Sequence, residues 1–435
     1  MPFVEVSPGI SLYYDIGRCE SETRPASEMP WLLTLHPLYQ DCYYTKRNTE
    51  DKTIKSHFNR INFDFRYHGR SKNPVVAAFD VYTLAADIAI GLDKLKIPPV
   101  HALALHPWSS EILIRMSIIF SEKLLSLCLC SISPREDDDF NKRAFGECFQ
   151  CWAYPEVPED WDEAISSVQW WHFGPASHFD ADVLDEWAGI MLRRFPPSNA
   201  VEQVVVAMPY LKRDALPNSA HENIKQPALF LRGGLDTVYT ITDTNDRLNA
   251  LPPNPFHELK VIPGAPLQFC RTHPDELRDN YLDWVLPIIE QLKEKAPRYR
   301  RIHWQGCLDR LSHLAGDDSV STRDPTKSSS YYKLNSQTVQ ETTALLEQLK
   351  ERQHTAFSFV GGNAPETWTG ADFDEVFPWR FSSRFDDARM AGSSSSRNNS
   401  LPMHEVVETL VEVSYEDEED EGEGDRVGLE TETEG

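Results

Sequence analysis

The sequence predicts an α/β protein with a mostly parallel central sheet flanked by helices, an inserted helical cap and a disordered acidic C-terminal tail. Short apolar runs alternate with helical patterns over residues 1–133, and strand–helix–strand alternation builds parallel sheets covered on both faces. Trp-rich helical patterns replace this alternation over residues 134–224, and the alternation of strands and helices returns over residues 225–293. We therefore predict a core in two parts, a cap between them, and a tail of residues 294–435.

The spacing of apolar residues predicts each core element. Strands are expected at residues 11–16, 31–36, 60–65, 100–105, 124–130, 228–232 and 256–262, and helices at 81–95, 109–120 and 274–292. Sequential strands joined by helices should lie side by side in one sheet.

Charge and cysteine content exclude several classes of function. The chain has 43 Lys+Arg against 68 Asp+Glu, a formal charge of -25, so nucleic acid is a poor partner because phosphate-binding surfaces need clustered basic residues. The eight cysteines are too sparse for a disulfide scaffold. Cys148 and Cys151 form a single Cys-x-x-Cys without the second pair that zinc needs. We expect packing thiols, no metal and no cofactor.

Neither a signal peptide nor a membrane span is expected. The first residues lack a basic region followed by an apolar run, and no stretch reaches the ~18 apolar residues of a spanning helix. We therefore expect a cytoplasmic protein that does not bind membranes.

The tail is rich in Ser, Thr, Asp, Glu and Arg, with serine clusters at 328–330 and 393–396 and an acidic run at 416–421. Such a composition buries too little apolar surface to offset the entropy of ordering, so we expect the tail to be mostly disordered. Its one predicted helix is Ser336–Gln353, where apolar residues fall near one face. The acidic run is either a solvated segment or a segment that binds a protein partner.

One polar turn after a strand carries a specific motif. Residues 62–71 have the sequence NFDFRYHGRS, and the run LTLHP at 33–37 precedes it. Together they resemble the capped α/β-hydrolase superfamily, in which one strand ends in His-Gly, the next in Asp-x-Arg-Gly-His-Gly-x-Ser, and a third leads into the Gly-x-Ser-x-Gly nucleophile elbow. The resemblance covers residues 1 to about 293 and implies an α/β-hydrolase fold. It also implies structural roles for Asp64, Arg66 and His68.

The same resemblance places residues 100–111 at the elbow, where the catalytic groups are missing. His106 occupies the nucleophile position, so attack by a hydroxyl, carboxylate or thiolate is unavailable there. Ala104 and Trp108 replace the flanking glycines, and we expect the indole to crowd the turn.

The oxyanion hole is altered as well. The residue after the nucleophile position is Pro107, which has no N–H to donate, and loss of one donor typically lowers turnover by about 10²–10³. The other donor would be the amide of Leu38, in a segment where Pro37 replaces the family glycine.

The rest of the triad is retained only in part. Asp236 follows the strand at 228–232 and holds the acid position, whereas Leu267 holds the position of the catalytic histidine. His273 belongs by spacing to the entrance of the last core helix, with a displaced base as the less favoured interpretation. Triad members act as a unit, so a lone acid supports little catalysis.

Three hypotheses on function follow. The first is a degenerate hydrolase fold kept to bind a small apolar ligand under the cap or a protein partner. The second is an enzyme in which His106 and Asp236 form an acid–base pair. The third is an interaction protein that acts through its acidic tail.

The cap aromatics are ambiguous at this stage. Trp170, Trp171 and Phe173 could line an apolar pocket, yet the cap tryptophans, which include Trp152, Trp161 and Trp187, are expected to form mainly its own core. His172 and His178 have no spacing that suggests a metal.

Overall fold

The computed structural model describes residues 2–71, 73–153, 158–175, 181–195, 199–291 and 298–353. Within these ranges the chain forms one sheet of eight strands in the order β1-β2-β4-β3-β5-β6-β7-β8. The strands are β1 Phe3–Ser7, β2 Ile10–Gly17, β3 Trp31–Leu35, β4 Asn59–Phe63, β5 Val100–Ala104, β6 Leu124–Cys130, β7 Ala228–Gly233 and β8 Glu258–Ile262. The β1–β2 and β2–β4 pairs are antiparallel, and all other neighbours are parallel.

Helices flank this sheet. Those in the described ranges are α1 Cys42–Thr49, α2 Lys52–His57, α3 Val81–Lys94, α4 Pro107–Ile119, α5 Asp139–Ala153, α6 Pro158–Phe173, α7 Ala181–Arg194, α8 Ala200–Leu211, α9 Asn218–His221, α10 Ile241–Asn249, α11 Pro274–Gln291, α12 Trp304–Ala315 and α13 Ser336–Gln353. Helix α3 packs on α4, α4 contacts β5 and β6, and α11 contacts β7 and β8. Every residue of β3, β4, β5 and β7 is buried, as expected for strands covered on both faces.

The predicted α/β class and mostly parallel sheet are confirmed, and each predicted core strand and helix overlaps an observed one. Strand β1 and helices α1, α2, α10 and α12 were not predicted. Helices α5 to α8 lie between β6 and β7, inside the segment in which the cap is predicted, and we call them the insertion.

The structure differs from the predicted tail over residues 298–353, which we call the C-terminal extension. The predicted helix Ser336–Gln353 is observed, but α12 precedes it and packs on α4. Leu308, Leu311 and Tyr331 of the extension are each completely buried. The composition argument fails here because a few apolar side chains suffice when they dock on a surface that is already folded.

Hydrogen bonds also stabilise the packing of the extension on the core. The Nε of Arg310 donates to the carbonyl of Ile119 at the end of α4 (2.9 Å), and the Nη2 of Arg66 donates to the Oγ of Ser328 (2.9 Å). The serine cluster 393–396 and the acidic run 416–421 lie outside the described residues, as does His178. None of the helices in the described ranges combines the length and apolar character that crossing a membrane requires.

Candidate functional site

The turn from β5 into α4 has the ordinary geometry of a capped helix start. His106 is the N-cap of α4, with φ -163° and ψ 155°, and its Nδ1 accepts a hydrogen bond from the backbone N–H of Trp108 (3.2 Å). Pro107 is the first helical residue, a position that proline favours because its missing N–H would have no partner there. His106 is therefore extended, unlike the strained nucleophile of an elbow.

Trp108 does not crowd this turn, contrary to our expectation. The indole is completely buried, and its ring centre lies 4.8 Å from Phe65, 5.3 Å from His68 and 6.2 Å from His36. Because the backbone at His106 is extended, the turn leaves room for a large side chain that packs on the residues following β3 and β4.

The turn after β4 is held by hydrogen bonds. Asp64 accepts from the backbone N–H groups of Cys42 (2.8 Å) and Arg70 (2.7 Å). Arg66 binds both carboxylate oxygens of the buried Asp87, at 2.6 and 2.7 Å. Tyr67, which replaces a family glycine, has φ 65°, a left-handed conformation that glycine adopts more readily.

The two histidines beside Trp108 have both ring nitrogens engaged. His36 Nδ1 donates to the carbonyl of Pro37 (2.7 Å), and its Nε2 accepts from the N–H of Phe65 (3.2 Å). His68 likewise bonds the carbonyl of Arg66 (2.8 Å) and the N–H of Tyr39 (3.3 Å). Burial lowers the pKa of His36 to about 4 and that of His68 well below its usual value. Both side chains are neutral structural groups at pH 7.

His172 of the insertion covers His106, a contact that sequence reasoning missed. The two rings stack with centres 5.0 Å apart and 27° between their planes. His172 Nδ1 donates to the carbonyl of Val168 (2.7 Å), whereas the Nε2 atoms of both histidines are buried and find no hydrogen-bond partner among the described residues. Burial lowers the pKa of His172 to about 4 and that of His106 well below its usual value. No spacing in the sequence signals this pair, because it depends on how α6 lies over the start of α4.

Asp236 follows β7 and is engaged by its own loop. Its Oδ1 accepts from the backbone N–H groups of Val238 and Tyr239, both at 3.0 Å. Burial raises the pKa of this carboxyl to about 6, although these two bonds act in the opposite direction. No hydrogen bond joins Asp236 to His106 in the part of the chain that the structure describes.

The remaining predicted positions are those of Leu267, His273 and Leu38. Leu267 follows β8, is 2% exposed, and its carbonyl accepts from the Oγ of Ser131 (2.7 Å). His273 lies just before α11 and its Nδ1 is 2.9 Å from the Oγ1 of Thr272. Leu38 is completely buried.

The described ranges hold neither a metal-ligating cluster nor a disulfide. They contain no group of three or more His, Cys, Asp and Glu side chains arranged to hold a metal ion. All eight cysteines are free thiols, and Cys148 and Cys151 pack against the hydrophobic core.

Solved structures resemble this fold although their sequences are distant. A thermophilic esterase from Thermogutta terrifontis, in a malate-bound structure, matches with a TM-score of 0.53 and 19% identity, covering 66% of this chain and 99% of the esterase. The enol-lactonase from Burkholderia xenovorans LB400 gives 0.51 and 18%, covering 66% of this chain and all of its own. An esterase from Exiguobacterium antarcticum gives 0.54 and 12%, with 66% and 99% covered. No family model and no curated protein sequence matches the chain.

These similarities and the strand order define the fold. The chain has the α/β-hydrolase fold, as the motif at residues 62–71 implied. At such low identities the similarity establishes the architecture alone, and function must be argued from the site.

Proposed function

We propose that this chain is a catalytically degenerate α/β-hydrolase-fold protein that acts by binding and not by turnover. The observation that carries the proposal is His106, which stands where a nucleophile is required and is completely buried. The backbone N–H of Trp108 donates to the imidazole of His106 from the helix side, and the ring of His172 stacks on that imidazole from the insertion. A substrate carbonyl therefore has neither a nucleophile to meet nor an open approach to this position.

The neighbouring positions support the same proposal. Pro107 cannot donate to an oxyanion, and Leu267 cannot accept a proton. Each loss alone would slow catalysis by orders of magnitude. The three losses fall on two separate segments: His106 and Pro107 lie in the turn from β5 into α4, and Leu267 follows β8.

An apolar ligand under the insertion remains part of the proposal. Trp171 and His172 face His106, with ring centres 5.9 and 5.0 Å away, and they would form the wall of such a site. A ligand there must separate these rings from His106. Phe173 and Trp187 are buried and Trp170 is 52% exposed, so they belong to the core and the surface of the insertion respectively.

The test is an assay of the purified full chain with a panel of esters and lactones and with a fluorophosphonate probe. We expect no labelling and no turnover above that of a His106→Ala variant, because the side chain at position 106 takes no part in chemistry. Ordinary turnover that disappears in His106→Ala would overturn the proposal. Turnover that disappears in Asp236→Asn as well would favour acid–base chemistry by the two residues.

A further inference from the structure

A cavity of about 470 Å³ lies where the core, the insertion and the C-terminal extension meet. Its walls are the start of α3 at Val81 and Tyr82, the end of α8 at Leu211 and Lys212, and Leu334 just before α13. None of the residues that line it belongs to the β5–α4 turn. The volume falls in the range of small-molecule sites, and without the extension one wall would be missing.

The acidic side chains of the cavity already have partners. Asp214 accepts from Arg115 (2.9 Å), from the hydroxyl of Tyr82 (2.8 Å) and from Lys333 (3.0 Å). Asp80 caps α3 by accepting from the N–H groups at the start of that helix, and it also accepts from the backbone N–H of Lys333 (2.7 Å).

The same is true of the acidic residues before α5. Asp137 forms an ion pair with Arg213, and Glu136 forms one with Lys142 (3.5 Å). The carboxylates of the wall are therefore neutralised or committed to the backbone, and they present little net negative charge to a ligand.

Among the described cations that line the cavity, Lys212 is the one outside these ion pairs. Among the described residues its Nζ makes no direct hydrogen bond and no ion pair within 4.0 Å, and the opposite charge that acts on it is the more distant one of Glu341. Burial lowers the pKa of this ammonium to about 8, against the opposing effect of the charge of Glu341. The apolar residues Leu211, Ala215 and Leu334 also line the cavity.

We propose that this cavity binds a small organic anion with a compact apolar body, whose charged group pairs with the Nζ of Lys212. Such a ligand supplies the direct acceptor that the ammonium lacks among the described residues, through a charge-assisted hydrogen bond, and it places its apolar part against the leucines. A carboxylate and a phosphate monoester share this chemistry. The inference is independent of the proposed function, since it holds whether or not the β5–α4 turn supports catalysis.

Two matched pairs of probes test the proposal on the full chain: benzoate with benzamide, and phenyl phosphate with phenol. Calorimetry measures binding, and limited acetylation followed by peptide mass spectrometry locates it at Lys212, with the exposed Lys225 as the internal reference. We expect at least one anion to bind with a dissociation constant of about 1 mM, so that about 10 mM slows acetylation of Lys212 roughly ten-fold and leaves Lys225 unchanged. The anion that protects distinguishes a carboxylate ligand from a phosphate.

Substitutions of Lys212 separate recognition of the ligand's charge from packing of its apolar body in the cavity. Lys212→Gln should weaken binding of that anion about ten-fold, Lys212→Arg should retain most of it, and the control Lys225→Gln should change nothing. The proposal is wrong if neither anion binds or protects Lys212. It is equally wrong if benzamide and phenol bind as well as their anions, or if Lys212→Gln binds like the unchanged chain.

Discussion

His106 and Pro107 suit the local structure that they form. A histidine at the N-cap accepts the N–H of Trp108, and proline at the first helical position loses nothing by lacking an N–H. An elbow nucleophile is instead held in a strained conformation, and backbone strain of that kind costs about 1–3 kcal/mol. Replacement of the elbow by an unstrained cap therefore favours stability at the position where hydrolases accept strain for function.

The buried ion pair of Arg66 and Asp87 predicts a large effect of a small substitution. Both side chains are completely buried, and the pair is bidentate. Asp87→Asn would leave the guanidinium buried without its counter-charge, and breaking such a pair typically destabilises by about 3–5 kcal/mol. We expect a loss of this size in the free energy of unfolding, measured by urea denaturation.

An exposed pair provides the control for this variant. Arg24 and Glu28 lie 3.8 Å apart, with 42% and 49% of their side chains exposed, and solvent screens such pairs. Glu28→Gln should therefore change the free energy of unfolding by less than ~1 kcal/mol. Equal effects of the two variants would contradict the structural role of the Arg66–Asp87 pair.

The candidate site could be located from the sequence only where strand ends could be recognised. His106, Asp236 and Leu267 each follow a strand that the apolar pattern indicates, so their places after β5, β7 and β8 could be anticipated. His172 could not, because its contact with His106 arises from the orientation of the insertion, and sequence spacing carries no information on that orientation. The extended backbone at His106 was missed because we assumed the turn geometry of the family.

At the level of elements, the sequence predicts best the strands that are buried on both faces. Strands β3 (WLLTL) and β5 (VHALA) are mostly apolar and were recognised. Strand β4 (NRINF) was recognised as well, although only Ile61 and Phe63 of its five residues are apolar. Strand β1 lies at the edge of the sheet, and its burial alternates over only five residues. Five residues are too few for the apolar pattern of a strand to be recognised in the sequence. Helix α1 is polar over most of its length, and its start depends on Asp41, which accepts from the N–H of Tyr44 (3.0 Å); no apolar stripe marks it.

The C-terminal extension gives the second prediction of stability. Leu311 of α12 is completely buried, and α12 packs on α4. Leu311→Ala should lower the free energy of unfolding by about 2–5 kcal/mol, the usual cost of a cavity at a buried leucine. We expect one cooperative transition for the whole folded part in thermal or urea unfolding.

A leucine on the surface serves as the matched control for this variant. Leu235 is 43% exposed, so Leu235→Ala should have an effect of less than about 1 kcal/mol. If Leu311→Ala were as mild, or produced a separate early transition, the extension would be an independent unit and not part of the core.

At the level of the whole molecule, buried neutral histidines couple stability to pH. Burial alone lowers the pKa of His101 to about 3, and burial lowers those of His36 and His172 to about 4. Two buried carboxyls act in the opposite direction. Asp41 and Asp236 have pKa values raised to about 7 and about 6, in both cases mainly by burial, so they take up protons in the folded state as the pH falls.

A single variant isolates the histidine effect from these carboxyls. Below the usual histidine pKa of about 6.5, the unfolded chain binds a proton at residue 101 that the folded chain does not bind until about pH 3. This histidine therefore lowers the free energy of unfolding as the pH falls from about 6.5 to 3, by up to about 1.4 kcal/mol per pH unit. His101→Asn lacks this proton, so its stability relative to the unchanged chain should rise by that amount between pH 6 and 5, measured by urea unfolding.

The control is Phe58→Leu, which removes packing next to the same ring, 6.2 Å away, without removing a titrating group. The difference in the free energy of unfolding between this variant and the unchanged chain should stay constant with pH. A constant difference for His101→Asn as well would mean that the buried imidazole is protonated in the folded protein.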